Sequence, residues 1–396
     1  MPAQPIYLDH AATTPTDPRV VETMLPYFSD VYGNPSSSHS IGRKAERAIE
    51  SARDTLARLL NAHRSEIIFT SCGTEADNMA LRGAAMLAQA QAKQIHIITA
   101  RAEHHAVSHT AEHLHRYQRA KVTWLKVAED GTITPQALRN ALAETAADEM
   151  VLVSVMYANN EVGTVQDIPT LAAIAKERGA LFHADSVQAA GQLSLDVQAL
   201  GVDMLALSAH KFYGPKGVGL LYLKRGINLP SVQTGGSQES ARRAGTHNVP
   251  LIMGMAKALE LAQSELPERI AHYTRLRDRL IDEILAEVDG ARLTGAEKAR
   301  RLPNHASFIF AGIEANALLM HLDMHGICGS SGSACNTGSP EPSDVLTSMG
   351  FPTELALGSL RLSLGKQNTD EDVDRVMAVL PEAVQKLRSV RATQTA

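Results

Sequence analysis

A lysine follows an apolar segment near the middle of this 396-residue chain. Lys211 lies in SAHKFYGPKG (208–217), directly after the predicted strand Met204–Ser208. The carboxyl end of a strand in an open α/β sheet faces the usual ligand crevice, where a partly desolvated amine has a lowered pKa and can form an imine with an aldehyde. By itself the pattern is equally consistent with a surface lysine in a loop.

Asp185 favours the first interpretation. It lies in FHADSVQ (182–188), at the end of the preceding predicted strand. A buried carboxylate there can keep the ring nitrogen of a pyridoxal cofactor protonated, which the ring requires in order to withdraw electrons. A single aspartate after a buried strand would otherwise be typical of a helix cap. Because Asp185 and Lys211 end successive strands, we expect both to face one crevice that binds pyridoxal 5'-phosphate.

A candidate phosphate site lies in FTSCGTEA (69–76), between a predicted strand and a predicted helix. Gly73 and Thr74 would place free backbone N–H groups and the positive end of the helix dipole beside a phosphate. Thr74 is also consistent with an ordinary N-cap, so this pattern is weak by itself. Ser208 and His210 flank the lysine and could donate to the same phosphate, and the three signals together are more specific than any one of them.

Five histidines occur in the segment 103–115. His105, His109 and His113 recur at four-residue spacing and would share one helix face. That pattern is typical of a solvated face; a metal site is the alternative, but no acidic ligand lies at a suitable spacing. His104 differs because it precedes the helix at a strand exit, where its ring could stack on a cofactor and exchange protons near neutral pH.

The segment GICGSSGSACNTG (326–338) is rich in residues that cannot pack a core, so we expect an exposed, mobile loop. Cys335 in this loop is either incidental or a reactive thiol. An ordinary thiol is only slightly ionised at neutral pH, so its activation would need the substrate or a nearby base. We interpret Cys328, after an apolar residue, and Cys72, beside the phosphate site, as buried and inert.

Arg361 is a charge inside the apolar strand pattern SLRLSLG (359–365). A buried arginine needs a partner, and a substrate carboxylate suits its forked donors. A structural ion pair is the alternative.

An α/β architecture would position these residues, because short β-rich segments alternate with helical patterns through the middle of the chain. This alternation predicts a mostly parallel sheet covered on both faces. The segment VLVSVM (151–156) is apolar throughout, as burial on both faces requires. Predicted helices are Glu75–Gln91, Pro135–Thr145 and Ile168–Arg178; predicted strands are Glu66–Ser71, Ile95–Thr99, Val122–Val127, Met150–Tyr157, Leu181–Ala184, Met204–Ser208 and Gly219–Leu223.

The pattern changes from about Leu251, where a long helical tract interrupted at Pro267 begins. After it we predict an α+β unit that contains the strands Ser307–Phe310 and Leu360–Ser363, the helix Ala315–His325 and a final helix. We therefore expect a large domain over residues 15–260 and a smaller one built from residues 1–14 and 261–396, which carries the cysteine loop.

Composition excludes several other classes of protein. The formal charge is −5 and no basic run occurs, which argues against nucleic-acid binding. No apolar stretch is long enough for a membrane span, and the first residues do not resemble a signal peptide. Three cysteines without a CxxC pair favour neither a disulfide framework nor a zinc site. We expect a cytoplasmic protein with reduced thiols.

Taken together, these motifs closely resemble those of the pyridoxal-phosphate-dependent cysteine desulfurases, especially the nitrogen-fixation and iron–sulfur types. The resemblance covers nearly the whole chain and implies the aminotransferase-like fold type I and a homodimer with active sites at the subunit interface. The matching segments are YLDHAATT from Tyr7, GNPSS from Gly33, FTSCGTEADN, Glu103-His104, Asn159-Asn160-Glu161, HADSVQ, SAHKFYGPKG, RRAGT from Arg242, SSGSAC and EPS.

The resemblance also implies roles in cofactor binding. Lys211 would form the imine, Asp185 would pair with the ring nitrogen, and His104 would stack on the ring as an acid or base. Gln188 would donate to the phenolate oxygen. The phosphate would be held at Gly73 by Thr74, Ser208 and His210, with Thr246 reaching the cofactor of the neighbouring subunit.

Substrate roles follow in the same way. Asn160, which would also border the cofactor, and Arg361 match the residues that bind the substrate carboxylate, with Asn34 as a further candidate. Cys335 matches the cysteine that becomes a persulfide. The implied reaction converts L-cysteine to L-alanine and passes the sulfur to an iron–sulfur scaffold or another acceptor protein; a nitrogen-fixation role follows only from the subtype.

Two rival functions are another fold type I enzyme, such as an aminotransferase or a selenocysteine lyase, and a non-catalytic scaffold. An aminotransferase has no use for a mobile cysteine loop, and a scaffold would not need Lys211, Asp185 and His104. Two departures from the family pattern are Ser237, where many members have histidine, and a short C-terminal tail.

Overall fold

The structure is a computed structural model that describes residues 5–332 and 342–395. Its strands are, in chain order, β1 (Ile6–Tyr7), β2 (Ile67–Thr70), β3 (Gln94–Ala100), β4 (Lys121–Leu125), β5 (Glu149–Ser154), β6 (Leu181–Asp185), β7 (Met204–Ser208), β8 (Gly219–Leu223), β9 (Ala291–Leu293), β10 (His305–Phe310), β11 (Ile327–Cys328) and β12 (Ser359–Ser363).

The α-helices are α1 (Pro18–Met24), α2 (Pro26–Ser29), α3 (Ser40–Leu59), α4 (Gly73–Ala90), α5 (His105–Gln118), α6 (Pro135–Ala143), α7 (Ile168–Glu177), α8 (Val197–Leu200), α9 (Val249–Ser264), α10 (Leu266–Glu287), α11 (Ala315–Met324), α12 (Asp344–Ser348), α13 (Thr353–Ala356) and α14 (Asp370–Thr395).

The main sheet has seven strands in the order β2-β8-β7-β6-β5-β3-β4. Neighbours from β4 to β7 pair in parallel, whereas β8 runs antiparallel to both β7 and β2. All seven strands predicted from the sequence are present, with ends that shift by a few residues. The predicted α/β class with a mostly parallel, mixed sheet is confirmed.

Helices cover both faces of this sheet, which explains why its strands are apolar throughout. Along β7, Leu205 and Leu207 pack on one face in a cluster with α3 and α9. Met204 and Ala206 alternate with them and pack on the opposite face with α4 and α5. The sheet thus holds the carboxyl ends of its parallel strands at one edge, where ligands bind in such folds.

A separate hydrophobic cluster joins the two ends of the chain. Ile6 and Leu8 belong to it, together with residues of α10, α11, α14, β10 and β12. Strand β1 reaches this cluster by pairing in parallel with β11, and β10 lies between β9 and β12. The division into residues 15–260 and a smaller unit from residues 1–14 and 261–396 stays a prediction, since Val345 and Leu346 pack in the main cluster.

Pro267 interrupts the long helical tract as predicted. Helix α9 ends at Ser264, and α10 begins at Leu266 with the proline in its first turn, where the missing N–H costs no intrahelical bond. Within residues 5–332 and 342–395, no helix has the length and apolar character needed to cross a membrane.

Candidate active site

A cavity of about 560 Å³ lies at the carboxyl ends of the parallel strands. Its walls come from the residues that follow β2, β3, β5, β6 and β7, and from the neighbourhood of β12. The cavity brings together ten of the residues singled out from the sequence: Gly73, Thr74, His104, Asn160, Asp185, Gln188, Ser208, His210, Lys211 and Arg361.

Two predicted site residues do not line this cavity, and a third cannot be placed relative to it because it is not among the described residues. Asn34 and Thr246 line a second cavity of about 390 Å³, so the structure does not join them to the first within one chain. Cys335 lies outside the described residues. The described residues on either side of its segment, Gly332 and Pro342, both line the first cavity.

Lys211 ends a short 3₁₀ turn directly after β7. Its Nζ donates to the carbonyl oxygen of Ala12 at 2.9 Å and also to that of Ala11. Gln188 donates from Nε2 to the same Ala11 oxygen at 2.8 Å. The N-terminal segment therefore crosses the cavity and aligns the lysine with the glutamine.

Asp185 is the last residue of β6 and is only 5% exposed. Its Oδ1 accepts a hydrogen bond from the backbone N–H of Val187 at 2.9 Å, which fixes the carboxylate. Burial raises the pKa of Asp185, and its interactions with His104, the backbone N–H of Val187 and Lys211 oppose that shift. A buried carboxylate in such a place is stabilised by any cation placed beside it.

His104 caps α5 with its ring. Its Nδ1 accepts from the backbone N–H of Ala106 at 3.0 Å, which requires that Nδ1 carry no proton. Burial lowers the pKa of His104, while Asp185 raises it and Lys211 lowers it. The neutral ring thus leaves Nε2 as the atom that can give or take a proton.

The candidate phosphate site is the start of α4. The N-cap is Cys72 and the helix begins at Gly73, so Thr74 lies in the first turn and the N-cap interpretation of Thr74 is wrong. A Cβ added at Gly73 would lie 2.7 Å from Val187 Cγ2 and 3.3 Å from a carbon of Ser208, so a larger residue would require Val187 to move. The backbone N–H groups at this end of the helix suit an anion.

His210 lies beside this site with its Nδ1 3.1 Å from the hydroxyl of Thr13. Burial and the nearby charges of Lys211 and Lys216 lower the pKa of His210 to about 4. Its ring is therefore neutral near neutral pH and can act as a hydrogen-bond donor without adding charge.

Arg361 lies in β12 and is 6% exposed. Its Nη2 contacts Asp9 Oδ1 at 2.7 Å, so the structural ion pair considered from the sequence is present. The Nε atom is buried and has no hydrogen-bond partner in the parts of the chain that the structure describes, and the same is true of Asn160 Oδ1. Arg361 can therefore still donate a hydrogen bond from Nε at the cavity wall, although it is paired with Asp9.

Three further buried groups were not assigned a role from the sequence. Asp77 and Glu103 line the cavity, and burial raises the pKa of each well above its usual value. His183 lies on the same strand as Asp185, two residues earlier, with Nε2 3.4 Å from Asp77 Oδ1. The sequence could have indicated His183, because it lies two residues before Asp185 on one strand and alternate residues share a face.

The other cysteines differ from expectation. Cys72 and Cys328 are both partly exposed, so the prediction that they are buried is wrong. Cys72 caps a helix that opens into the cavity and lines it. Cys328 lies in a two-residue strand, which is too short to cover its side chain fully.

The predicted solvated histidine face is confirmed. His105, His109 and His113 are exposed on α5, and the rings of His105 and His109 stack with centroids 4.1 Å apart. Across residues 5–332 and 342–395, no three His, Cys, Asp or Glu side chains are grouped in a way that could hold a metal ion.

Comparisons with known proteins agree with this geometry. The family model for class V aminotransferases matches residues 6–376. A cysteine desulfurase IscS from Clostridium botulinum is 47% identical over 386 residues, which cover 97% of this chain and 96% of the relative. A cysteine desulfurase IscS from Methanosarcina thermophila is 48% identical over 385 residues, covering 97% and 93%.

Solved structures show the same relationship. A NifS-like protein superimposes with a TM-score of 0.86 at 35% identity, covering 98% of this chain and all of that one. A NifS-like protein from Rickettsia africae gives 0.84 at 32% identity, covering 96% of this chain. The fold is the one expected for fold type I enzymes, and the chain belongs to the class V aminotransferase family and, within it, to the cysteine desulfurases.

Proposed function

We propose that this chain binds pyridoxal 5'-phosphate in the larger cavity and transfers sulfur from L-cysteine to Cys335. The observation that carries the proposal is the meeting of Lys211, Asp185 and Arg361 in one cavity whose rim includes Gly332 and Pro342. An amine, a buried carboxylate and an arginine with spare donor capacity together suit an amino acid and an aldehyde cofactor.

The residues present fit the cofactor. Lys211 would hold its aldehyde carbon, Asp185 its ring nitrogen and Gln188 its phenolate oxygen. Its phosphate would lie at Gly73, where a side chain on that residue would overlap Val187. When bound, the cofactor supplies an electron-withdrawing ring that stabilises negative charge at the substrate α-carbon.

The chain itself would orient the substrate. Arg361 has a buried Nε without a partner in the described residues, and the side-chain amide of Asn160 borders the same cavity, where its Nδ2 could donate. A substrate carboxylate gives the arginine a second anion beside Asp9, and the amide fixes its orientation. Arg361 is already held by Asp9 and by the backbone carbonyl oxygen of Asn160, so it loses little conformational entropy on binding.

Two groups would move protons. Lys211 Nζ would take the α-proton and return a proton to the product, and its contacts with Ala11 and Ala12 keep it within the cavity. His104 would exchange protons through Nε2, because Nδ1 is engaged with Ala106. Both act on atoms that face the same space.

Cys335 would complete the reaction. Its sulfur attacks the substrate sulfur, a sulfur–sulfur bond forms, and the carbon–sulfur bond breaks with its electron pair going to carbon. That carbon is protonated and leaves as alanine, while the persulfide stays on Cys335. The sulfur would then pass to an iron–sulfur scaffold or another acceptor protein.

We also propose a homodimer. Thr246 and Asn34 line a cavity distinct from the one around Lys211, which favours a role of this surface at a neighbouring subunit. A solved relative named SspA, 33% identical, is described in complex with cysteine, which supports cysteine as the substrate here.

The test is an assay of the purified holoenzyme with L-cysteine and a thiol reductant. We expect alanine and sulfide in equal amounts and no amino transfer to keto acids. Parallel reactions with selenocysteine test whether the protein is instead a selenocysteine lyase. Amino transfer without alanine release from cysteine would overturn the proposal in favour of an aminotransferase.

A further inference from the structure

Glu161 lies between the two described segments that flank residues 333–341. It follows Asn160 in the turn after β5, and its backbone N–H donates to Asn159 Oδ1 at 2.8 Å. Asn159 is itself 3% exposed and donates from Nδ2 to Ala102 at 2.9 Å. The backbone of Glu161 is therefore held rigidly against the sheet.

On one side, the carboxylate of Glu161 accepts a hydrogen bond from the hydroxyl of Ser343. The same hydroxyl accepts from the backbone N–H of Leu346 at 3.2 Å and so caps α12. Ser343 is 3% exposed. The chain that leaves the segment 333–341 is thus fixed to Glu161 within a few residues of its end.

On the other side, Gly332 lies directly against the carboxylate of Glu161, where a Cβ on that glycine would overlap Oε2. The backbone N–H of Gly332 donates to the hydroxyl of Ser359 at 3.3 Å, and Ser330 exchanges backbone hydrogen bonds with Arg361. The chain that enters the segment is therefore fixed to β12 and packs closely against Glu161.

The charges around Glu161 are few and opposed. Burial raises the pKa of Glu161 to about 7, the hydrogen bond from Ser343 and the charge of Arg361 lower it, and Asp344 raises it. Asp344 in turn has His105 at 3.9 Å, and Arg361 has Asp9 at 2.7 Å. Both protonation states of Glu161 are thus populated near neutral pH.

We propose that Glu161 is a positioning residue for sulfur transfer, whose ionised carboxylate binds the hydroxyl of Ser343 and so keeps Ser343 beside Gly332, which β12 holds, and limits the distance between these two residues on either side of Cys335. The proposal rests on the function proposed above. Fixing both ends of a short segment reduces the number of arrangements it can adopt. A charged acceptor holds the serine hydroxyl more strongly than a neutral one.

The test uses the holoenzyme with Glu161→Gln, Glu161→Ala and Ser343→Ala. We expect each change to slow persulfide formation on Cys335 in a single turnover by about tenfold, the scale of one charge-assisted hydrogen bond, with KM for L-cysteine unchanged within about threefold. Ser348→Ala is the matched control, because its hydroxyl donates only to Val345 within α12 and should leave the rate unchanged.

The pH dependence of the rate distinguishes the loss of positioning by Glu161 from a general loss of structure in the variants. The ratio of the wild-type rate to the Glu161→Gln rate should rise with pH and have its midpoint near pH 7, since the ionisation of the thiol cancels in the ratio. The rate at which Cys335 is alkylated in the cofactor-free protein can be followed by mass spectrometry and does not depend on activity. This rate should also change in both Glu161 variants.

Three results would overturn the proposal: persulfide formation as fast in the variants as in the wild type, a ratio that does not vary with pH, or a change in KM alone. If the Glu161 variants unfold, the rate of persulfide formation in Ser343→Ala tests the proposal instead, because this change removes only the hydroxyl that donates to Glu161. A wild-type enzyme that forms no persulfide on Cys335 would instead contradict the proposed function and leave the contacts of Glu161 as a structural feature.

Discussion

Arg361 donates from Nη1 to the backbone carbonyl oxygen of Asn160 at 2.9 Å. The two residues expected to hold the substrate carboxylate are therefore joined to each other, although one lies in β12 and the other in the turn after β5. This bond connects the smaller hydrophobic cluster with the main sheet at the cavity. The site depends on both units.

Replacement of Arg361 by lysine should raise KM for L-cysteine by about 10- to 100-fold. An ammonium group cannot donate to Asn160, Asp9 and a carboxylate in the planar arrangement of a guanidinium. Steady-state kinetics of alanine release measure the effect, and thermal unfolding checks that the fold is retained. An unchanged KM would mean that another residue binds the carboxylate.

Lys211→Ala should abolish covalent attachment of the cofactor. After reduction with borohydride, the wild-type protein should gain the mass of the reduced cofactor on the peptide that contains Lys211, and the variant should gain none. Lys216→Ala is the control, since that lysine belongs to the same loop but is exposed and does not line the cavity. Attachment that persists in Lys211→Ala would place the imine on a different amine.

Asp185→Asn should lower the rate of alanine release roughly a hundredfold or more, the scale lost with one preorganised charge in an active site. The amide keeps the shape of the carboxylate but cannot stabilise a cation beside it. Alanine release with saturating cofactor separates this effect from weaker binding, which is measured by equilibrium dialysis. Full activity of a cofactor-saturated variant would show that no negative charge is required there.

Glu239→Gln should destabilise the fold by about 3–5 kcal/mol, because it removes the buried carboxylate that pairs with the buried charge of Arg53. Two nitrogens of Arg53 contact Glu239 at 2.8 Å each. Urea denaturation at neutral pH measures the loss. Glu50→Gln is the control, because Glu50 contacts the same arginine from a position where it is 40% exposed and should change stability little.

The same ion pair should also depend on pH. Burial raises the pKa of Glu239, but hydrogen bonds from Arg53 and His247 outweigh it and lower the pKa from 4.5 to about 2. The stabilisation is therefore fully present above pH 4.5 and is lost as the pH falls toward about 2. The difference in unfolding free energy between the wild type and Glu239→Gln should shrink over that interval; a constant difference would exclude ionisation of Glu239 as its source.

Sequence patterns predicted the main sheet and the contents of the cavity well, because long apolar strands and flanking polar residues carry strong local signals. Lys211, Asp185 and Gly73 could be placed at strand ends and a helix start, and parallel strands bring such positions to one edge. Pro267 likewise marked the break between α9 and α10.

The remaining features depend on contacts distant in sequence. Strands β1 and β11 have only two residues each, so neither has a periodic pattern to detect. The contact between Ser343 and Glu161 joins residues 182 positions apart, and nothing in either local sequence specifies it. The exposure of Cys72 follows from its place at the mouth of a cavity that no local pattern describes.

The most direct test of the account is to map the sulfur after a single turnover of the holoenzyme with L-cysteine. Mass spectrometry of the wild type should find one added sulfur atom on the peptide that contains Cys335 and none on those with Cys72 or Cys328, and Cys335→Ser should release no alanine while it retains the visible absorbance of the bound cofactor. Sulfur on Cys72 or Cys328 instead, or normal alanine release by Cys335→Ser, would contradict the account.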